Sequence, residues 1–487
     1  MRPAYRVSDV RAAERALMDT VPEGTLMQRA AAGVARRCAL LLQDAGGVYG
    51  ARVVLLIGAG NNGGDALYAG ARLARRGAEV RALLLVPDKA HAGGLAALRA
   101  AGGRVVEELP STMDLAVDGI VGIGASGGLR EPAAAAVTSL ATASSRAGMR
   151  PPVVAVDVPS GVEVDTGEVP GDAVNADVTV TFGCLKPALV VGPAAPLAGQ
   201  VELVDIGLGP WLRAEPVVRV PEEADVAAWW PRPGPASEKY SRGVVGVATG
   251  SQTYPGAAVL SVAGALAGPT GMVRYAGGAL AQVLSRHASV IATERVGDAG
   301  RVQAWVCGSG LGTDERALTE LRSVLAASVP AVLDADALTL LVDGSMARHL
   351  RAREAAVVVT PHDREFARLA GEPPGKDRVA SALRLASWMQ AVVLLKGDRT
   401  VVATPDGRAW ANPTGTSALA TGGTGDVLAG LLGSLLAGGL TAERAAVSAA
   451  YLHGLAGREA ARHGPVIAPD VAAALRTVIA ALTGHRS

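Results

Sequence analysis

Residues 420–430, Ala-Thr-Gly-Gly-Thr-Gly-Asp-Val-Leu-Ala-Gly, lead into an almost wholly apolar run that ends at Leu436. This run predicts a buried helix with Gly438-Gly439 at its end. Asp426 then lies at the helix start, where free backbone N–H groups bind anions and glycines let a phosphate approach closely. Since a site that only holds phosphate would not add a carboxylate, we expect Asp426 to take a proton from a hydroxyl group that reacts with a phosphoryl group. The alternative is that Asp426 is only the N-cap of the helix.

The composition indicates an α/β protein of more than one domain that binds small ligands. At 487 residues the chain is too long for one core, and with 3% aromatic residues its cores must be filled by Ala, Val and Leu. The net charge of +1, from 46 Lys and Arg against 45 Asp and Glu, provides no basic surface. We therefore expect no nucleic-acid partner.

Cysteine usage and hydropathy bear on the compartment. No window approaches the roughly eighteen uncharged apolar residues of a membrane span, so we expect no membrane contact. The cysteines are far apart, odd in number and without metal-binding spacing: Cys38, Cys184 and Cys307. This pattern predicts buried thiols in a reducing compartment, the cytoplasm.

The first half of the chain begins its sheet with a strand, a glycine-rich loop and a helix. Residues 53–57 predict a buried strand and residues 65–76 a helix, joined by a loop over residues 58–64; a second strand follows at 80–86. This unit looks Rossmann-like, and ligands of such sheets bind outside the carboxyl ends of the strands. The loop departs from G-x-G-x-x-G because Asn61, Asn62 and Asp65 supply side-chain oxygens, which suit a hard cation or a sugar hydroxyl.

Polar residues follow two more strands of this half. The strand at 115–121 contains Asp118 and continues into the glycine-rich loop 122–128, whose backbone amides could bind a phosphate. The strand at 153–156 runs into Asp157 and Ser160. Each carboxylate alone could be a cap or turn residue, but three at corresponding strand ends predict one shared pocket.

The second half repeats this organisation after an irregular stretch. Periodicity fades where Pro, Glu and Trp accumulate, which predicts a domain over residues 1–215, a linker over 216–235 and a domain over 236–487. Strands predicted in the second domain each end in a polar or glycine cluster, at residues 243–249, 271–275, 305–307, 331–333, 357–359 and 391–395. The second domain therefore also has one active face at its strand ends.

Three basic side chains of this half need separate interpretation. Lys396 directly follows a strand and could present its charge to phosphate oxygens, or be an ordinary solvated lysine. His362, on a strand-end loop, could orient a substrate amide or hydroxyl, although most lone histidines do not. His453 lies inside an apolar helix and is predicted to be a core residue.

Taken together, these motifs resemble the bifunctional NAD(P)H-hydrate repair enzymes, which join an NAD(P)H-hydrate epimerase to an ADP- or ATP-dependent NAD(P)H-hydrate dehydratase. In the first half the resemblance rests on residues 60–65, 117–128 and 157–161. In the second it rests on residues 308–312, 333–338, 360–366, 396–400 and 422–426. It implies an N-terminal Rossmann-like three-layer αβα domain and a C-terminal ribokinase-like αβα domain.

The resemblance also implies the reaction. Reduced nicotinamide cofactors add water to form epimeric hydrates, NADHX and NADPHX, and the epimerase interconverts the R and S forms. The dehydratase phosphorylates the S-hydrate from ADP in bacterial members, and loss of phosphate restores the cofactor and leaves AMP. The implied cofactors are K⁺ for the epimerase, and Mg²⁺ with ADP for the dehydratase. We also expect a homo-oligomer.

The site residues implied by the resemblance fall into three groups. Asp426 is the base of the dehydratase, and Asp157 is favoured as the acid/base of the epimerase over Lys186. The hydrate is expected to contact Asn61, Asn62, Gly63, Gly64, Asp65, Gly122, Ile123, Gly124, Ala125, Ser126, Gly127, Gly128 and Asp157 in the first half, and Ala258 or Ala257, Gly310, His362 and Asp426 in the second. The nucleotide is expected at Lys396, Gly397, Asp398, Arg399, Thr400 and Gly425, and K⁺ at Asn62, Asp118 and Ser160.

Two other interpretations remain open from the sequence. A ribokinase-like kinase of a vitamin precursor would use Asp426 in the same way and would leave a stable phosphorylated alcohol. In that case the first half would be a non-catalytic ligand-binding module. Substitution of Asp65 or Asp157 separates a catalytic first half from a scaffold.

Overall fold

The computed structural model describes residues 1–124, 127–146, 148–342 and 344–484. The chain divides into two compact units, one spanning Arg2–Val217 and the other running from Val218 onward. Both are built from alternating strands and helices, as the sequence predicts.

The first unit is organised around a parallel sheet. Its elements in chain order are β1 (Arg2–Ala4), α1 (Val7–Met18), α2 (Thr25–Asp44), β2 (Arg52–Ile57), α3 (Asn61–Ala74), β3 (Glu79–Leu84), α4 (Ala92–Ala100), β4 (Arg104–Val106), β5 (Leu115–Gly119), α5 (Ala133–Thr142), β6 (Val153–Val156), β7 (Val178–Phe182), α6 (Ala194–Leu197) and β8 (Gln200–Val204). In the described residues, seven strands pair in parallel in the order β4-β3-β2-β5-β6-β7-β8. The direction of winding reverses between β2 and β5, and ligands bind at such switch points.

Helices cover both faces of this sheet. Successive side chains of a strand point to opposite faces, and along β2 Leu55 belongs to a core cluster with α1, α2 and α3, whereas Leu56 belongs to a cluster with α5. Both leucines are fully buried. The predicted three-layer αβα arrangement is therefore present.

The second unit is also built around one main sheet. Its elements are β9 (Val218–Val220), α7 (Glu223–Trp229), β10 (Val244–Ala248), α8 (Pro255–Ala267), β11 (Met272–Ala276), α9 (Leu280–Arg286), β12 (Ile291–Thr293), β13 (Ala304–Cys307), α10 (Glu315–Ala326), β14 (Ala331–Leu333), α11 (Asp336–Leu341), α12 (Gly344–Arg351), β15 (Val357–Val359), α13 (Asp363–Ala370), α14 (Arg378–Met389), β16 (Val392–Leu395), β17 (Val401–Ala403), β18 (Ala409–Ala411), α15 (Thr424–Ala437), α16 (Ala442–Ala461) and α17 (Ala468–Thr483). The strands follow the order β9-β18-β17-β16-β15-β14-β13-β10-β11-β12.

Pairing in this sheet is parallel except along the β16-β17-β18 meander, which turns at the predicted hairpin. Helices α8, α15, α16 and α17 pack in one core cluster against Val245 and Val306. The neighbouring strand residues that face the other way, including Trp305 and Cys307, are buried as well. Both faces of the sheet are therefore covered, as in other parallel sheets.

The structure differs from the predicted elements in two places. Helix α3 begins at Asn61 and not at Asp65, so residues 61–64 form its first turn and not a loop. Residues 216–235, predicted as a linker, contain the strand β9 and the helix α7, which belong to the second unit. Short elements like these carry too few residues for a periodic signal.

The cysteines are buried, as the sequence predicts, and all three are free. Burial raises the pKa of both the Cys38 and Cys307 thiols to about 12, which makes them unreactive. Among the described residues, every helix is too short or too polar to cross a bilayer.

Candidate active sites

The first candidate site begins at the N-terminus of α3. Gly60, the N-cap, has φ +84°, a conformation that favours glycine, and no side chain caps the helix. The Gly64 N–H donates to the Gly60 carbonyl, whereas the N–H groups of residues 61–63 have no partner among the described hydrogen bonds and are free to bind an anion. Within the described part of the chain, the Nδ2 of Asn62 and the Oδ1 of Asp65 are buried without a hydrogen-bond partner. Such atoms indicate a site that a ligand completes.

Asp118 lies fully buried near the carboxyl end of β5. Its Oδ1 accepts from the Ser160 hydroxyl at 2.7 Å and from the Ile120 N–H at 3.2 Å, and its Oδ2 accepts from the Ser160 N–H at 2.9 Å. Burial raises the pKa of Asp118 to about 6, although the Ser160 bonds oppose this. The carboxyl group is thus rigidly held.

Oxygen atoms surround this carboxylate. The Ser160 hydroxyl also lies 3.2 Å from the Val121 carbonyl oxygen. A Cβ added at Gly122 would lie 2.9 Å from the Oδ1 of Asn62, so the glycine allows the amide to approach the loop. No three His, Cys, Asp or Glu side chains converge as a metal centre anywhere in the residues described. The cluster has one carboxylate and otherwise neutral oxygens.

Asp157 follows β6 and lies on the same edge of the sheet. Its φ of +70° is uncommon for a residue with a side chain, and such backbone strain concentrates at functional sites. Its Oδ1 accepts from the Lys186 Nζ at 2.6 Å and from the Thr181 hydroxyl at 3.0 Å. The Lys186 Nζ also donates to the Thr181 Oγ1 at 2.9 Å and to the Phe182 carbonyl at 3.0 Å. All three ammonium protons are therefore engaged.

Two further carboxyl groups interact with Asp157. Burial, then the charges of Asp157 and Glu14, raise the pKa of Asp65 well above its usual range. Burial and the charge of Asp157 likewise raise the pKa of Glu14, a residue of α1. The sequence analysis did not identify Glu14, because the pattern of α1 indicates only an amphipathic packing helix. Glu14 lies near Asp65 and Asp157 only in the folded chain.

The glycine-rich loop of the first unit is only partly described. Gly127 donates its N–H to the Glu163 carboxylate, and a Cβ added at Gly128 would lie 2.9 Å from the Gly171 Cα. Near the other end of the loop, the Arg11 guanidinium would lie 3.4 Å from a Cβ at Gly124. The predicted hydrate contacts Ala125 and Ser126 lie outside the described residues.

The second candidate site lies at the start of α15. The N-cap is Gly423, with φ +88° and no side-chain cap, and Asp426 is the third residue of the helix. The predicted helix is confirmed, and the alternative that Asp426 is its N-cap is wrong. Burial and the neighbouring charge of Asp334 raise the pKa of Asp426 to about 7, against the opposing effects of Ser309 and Lys396. A base with a pKa near the working pH is suited to proton transfer.

Asp334, at the end of β14, is the centre of the hydrogen-bond network. It is 2% exposed, and its Oδ1 accepts from the Thr360 hydroxyl at 2.7 Å and from the Lys396 Nζ at 2.8 Å. Its Oδ2 accepts from the Ser309 hydroxyl at 3.1 Å. The ends of four strands, β13, β14, β15 and β16, are therefore joined through one carboxylate.

Lys396 is held between carboxylates and is not the freely solvated lysine of the alternative interpretation. Its Nζ also lies 3.5 Å from the Oε2 of Glu365. Burial alone would lower the pKa of Lys396, but the two carboxylates outweigh it and the pKa is raised. A Cβ added at Gly425 would lie 3.7 Å from this Nζ, so the structure brings Lys396, Gly425 and Asp426 together.

The residues after Lys396 pack against the segment around Gly415. Arg399 donates to the Pro413 carbonyl at 2.9 Å, and the Thr400 hydroxyl donates to the Gly397 carbonyl at 3.0 Å. A Cβ at Gly415 would lie only 1.7 Å from the Asp398 carbonyl oxygen, so only glycine fits there. Of the predicted nucleotide residues, those from Lys396 to Thr400 thus form one pinned loop, and Gly425 belongs to α15.

The predicted hydrate contacts of this half lie on two loops. Gly310 has φ +62°, and a Cβ there would lie 2.8 Å from that of Ala257, which is partly exposed, whereas Ala258 is fully buried. His362 caps α13, because its Nδ1 accepts from the backbone N–H groups of Arg364 and Glu365 at 3.1 and 3.2 Å. The proton of the neutral ring is therefore on Nε2, which lies 3.5 Å from the Glu365 carboxylate.

Comparison with known proteins finds matches to both halves of the chain. A family model described as NAD(P)H-hydrate dehydratase matches residues 245–477, and one described as YjeF-related protein N-terminus matches residues 23–188. The bifunctional NAD(P)H-hydrate repair enzyme Nnr of Mycobacterium tuberculosis is 50% identical over 86% of this chain and 85% of its own. The enzyme of that name from Mycobacterium leprae is 48% identical over 99% of this chain and 100% of its own. The chain belongs to the family of bifunctional NAD(P)H-hydrate repair enzymes.

Solved structures add to the description of this family member. A ribokinase-like superfamily protein of Enterococcus faecalis, 24% identical, matches with a TM-score of 0.50 over 55% of this chain and 96% of that one. The ribokinase-like fold expected for the dehydratase half is confirmed. An ADP/ATP-dependent NAD(P)H-hydrate dehydratase of Bacillus subtilis, co-crystallised with ATP and Mg²⁺, is 29% identical over 54% of this chain and 99% of that one, with a TM-score of 0.49.

In this member of the NAD(P)H-hydrate repair family, several site residues carry no recognisable signal of their own. Thr181, Ser309 and Thr360 are single hydroxyl residues that become partners only when strand ends meet. His453 behaves as predicted for a core residue. Burial lowers its pKa to about 4, and its Nε2 lies 2.9 Å from the Thr424 carbonyl oxygen.

Proposed function

We propose that this chain interconverts the R and S hydrates of NADH and NADPH at the site around Asp157, and dehydrates the S-hydrate with ADP at the site around Asp426. Family membership supports the pair of reactions. The observation that carries the second is Asp426 itself, a half-buried carboxyl group with a pKa of about 7 at a glycine-flanked helix start, beside Lys396.

In the proposed dehydration, Asp426 takes the proton of the hydrate hydroxyl. The freed oxygen attacks the terminal phosphorus of ADP, and the bond to the bridging oxygen breaks to release AMP. The C–O bond of the phosphorylated hydrate then breaks. Phosphate leaves with that electron pair, the neighbouring carbon loses a proton, and the ring double bond is restored. The sum is hydrate plus ADP giving NAD(P)H, AMP and phosphate.

We place the nucleotide along the pinned loop from Lys396 to Thr400 and against Gly425. The Lys396 ammonium and the free N–H groups of α15 supply positive charge where phosphates would lie. Mg²⁺ binds mainly to phosphate oxygens and water, so it needs only one or two carboxylates, and it would supply charge neutralisation at the transferred phosphoryl group. The hydrate would contact Gly310, His362 and the Ala257-Ala258 pair.

At the epimerase site we propose Asp157 as the acid/base. Its Oδ1 is fixed by Lys186 and Thr181, while in the described contacts its Oδ2 accepts no hydrogen bond and can reach a substrate. Lys186 holds the carboxylate in place, because its own three protons are engaged. The free N–H groups of residues 61–63 and the loop at 122–128 would bind the hydrate and its phosphates.

The residues around Asp118 fit K⁺. Asp118, Ser160 and Asn62 contribute only oxygen ligands, and a single carboxylate balances a monovalent cation. The ion would neutralise the buried carboxylate and fix the loop that follows β5.

We assign the epimerase to residues 1–215 and the dehydratase to residues 236–487. The structural division at Val217 supports the end of the epimerase, while β9 and α7, within residues 216–235, belong to the second unit. The three reduced cysteines support a cytoplasmic location. Assembly into a homo-oligomer is proposed from the resemblance alone.

The test supplies the purified chain with mixed NADPH-hydrate epimers, Mg²⁺, K⁺ and either ADP or ATP, and follows the recovery of reduced-nicotinamide absorbance. With nucleotide we expect the absorbance to recover completely, and with Asp426→Asn we expect no recovery. With Asp157→Ala the S-hydrate should be repaired first, and the R-hydrate should follow only at the rate of spontaneous epimerisation. A stable phosphorylated product without recovered absorbance would instead indicate a kinase. Absence of nucleotide-dependent recovery would contradict the proposal.

A further inference from the structure

Ser309 occupies a fixed position between two strands of the second unit. It follows β13 and is 1% exposed. The Gly250 N–H donates to its carbonyl oxygen at 2.7 Å, and the Gly312 N–H donates to the Oδ2 of Asp336 at 2.9 Å, so the loop is held on both sides of the residue. The backbone that carries the Ser309 hydroxyl is therefore held in place.

Two carboxyl groups lie within reach of this one hydroxyl. Its Oγ donates to the Oδ2 of Asp334 at 3.1 Å. A Cβ added at Gly425, next to Asp426, would lie 4.0 Å from that same Oδ2, and the Ser309 hydroxyl lies close enough to Asp426 to lower the pKa of its carboxyl group. A hydroxyl has one proton to donate and two lone pairs to accept with. It can therefore donate to one carboxylate and at the same time accept from the other, provided that the other is protonated.

Asp334 has hydrogen-bond donors besides Ser309. Its Oδ1 receives the Thr360 hydroxyl and the Lys396 ammonium, and its side chain is almost fully buried. Asp426 has no such pair of donors among the described hydrogen bonds. The Ser309 proton therefore matters most for Asp426.

We infer that Ser309 is a positioning residue for the proposed dehydration: its hydroxyl accepts from protonated Asp426 while donating to Asp334, and turns to donate to Asp426 when that group is ionised. The inference rests on the proposed role of Asp426 as the base. It accounts for a hydroxyl between two acidic side chains that would otherwise repel each other. A residue serving only to fill the loop would not need one.

The charged groups that face Asp426 are Asp334, Asp336 and Lys396, and Glu365 in turn contacts Lys396. With the hydroxyl removed, ionised Asp426 keeps the repulsion of Asp334 and Asp336 and loses a donor. Its basic form then develops only at higher pH. We expect the acidic limb of the dehydratase pH profile to move upward by about one pH unit.

The experiment compares the full chain with Ser309→Ala, Ser309→Thr and the control Ser448→Ala, whose buried Oγ has no hydrogen-bond partner in the described structure. kcat/KM for the ADP-dependent step is measured from pH 5.5 to 9. For Ser309→Ala we expect roughly tenfold loss at pH 6 and less than about twofold loss at pH 8.5. Thr should restore the profile, and Ser448→Ala should match the wild type.

The inference would be overturned if Ser309→Ala lost the same factor in kcat/KM at every pH. It would also be overturned if Ser309→Thr failed to restore the acidic limb of the pH profile. A second measurement does not need activity: the Asp426 carboxyl is titrated by ¹³C NMR in the full chain, with its signal identified by its absence in Asp426→Asn. An upward shift in Ser309→Ala is expected, and an unchanged midpoint would refute the role of Ser309. If the wild type lacks ADP-dependent recovery, the proposed function fails while this titration still decides the inference.

Discussion

Replacing the proposed base by its neutral isostere, Asp426→Asn, is expected to stabilise the protein at alkaline pH. The pKa of Asp426 rises from 3.8 to about 7 on folding. The folded state therefore holds this proton more tightly than the unfolded state. Below pH 3.8 both states are protonated and nothing is lost. Between pH 3.8 and 7 the free energy of unfolding falls as the unfolded state alone ionises, and above pH 7 the destabilisation is constant.

The size of this destabilisation follows from the difference between the pKa values of Asp426 in the folded and unfolded states. At 1.36 kcal/mol per pH unit the loss above pH 7 would be about 4 kcal/mol, which is an upper bound. Asp426 is only partly buried, so solvent screening reduces this to about 2 kcal/mol. Asn has the same shape without the charge. The free energy of unfolding of the variant should therefore be about 2 kcal/mol higher than that of the wild type at pH 8. At pH 4 the two free energies should be nearly equal.

Urea unfolding of the full chain at a series of pH values measures this difference directly. Glu372→Gln is the control, because Glu372 is an exposed carboxyl group whose removal should leave the pH dependence unchanged. Asp426→Asn should also lack dehydratase activity, so that loss of function accompanies gain of stability. A variant no more stable than the wild type at pH 8, or one stabilised equally at pH 4, would refute the proposed origin of the raised pKa.

Three further predictions concern the other groups. Asp157→Ala should abolish epimerisation while pure S-hydrate is dehydrated at the wild-type rate; a loss of both activities would count against separate sites. Ser160→Ala should raise the K⁺ concentration for half-maximal epimerisation by roughly tenfold, with the full rate restored at high K⁺, and an unchanged K⁺ requirement would argue against the ion site. Lys396→Ala should raise the KM for ADP by at least about tenfold and lower the free energy of unfolding by about 3 kcal/mol, because Asp334 and Glu365 are left buried without their cation. Lys396→Arg retains the charge, so its KM for ADP and its free energy of unfolding should change less than those of Lys396→Ala. Equal changes in the two variants would show that the positive charge of Lys396 is not responsible.

Much of the fold could be predicted because buried parallel strands are short apolar runs that end at glycine or polar residues. The strands β6, β14 and β15 have the predicted bounds, and α15 contains the predicted apolar run. The strand β9 and the helix α7 were not predicted, since a few residues with prolines nearby carry no period. Their place is decided by the rest of the sheet.

The sequence by itself determined the two α/β halves and the acidic residues at their strand ends, because hydrophobic period and glycine position are local properties of the chain. It could not place Glu14 beside Asp157 and Lys186, or the Ser309 hydroxyl beside Asp334 and Asp426. Those pairs are far apart in sequence, and only the folding of separate strands into one sheet brings them together. Their pKa values and hydrogen bonds depend on burial and on neighbouring charges, which exist only in the folded molecule.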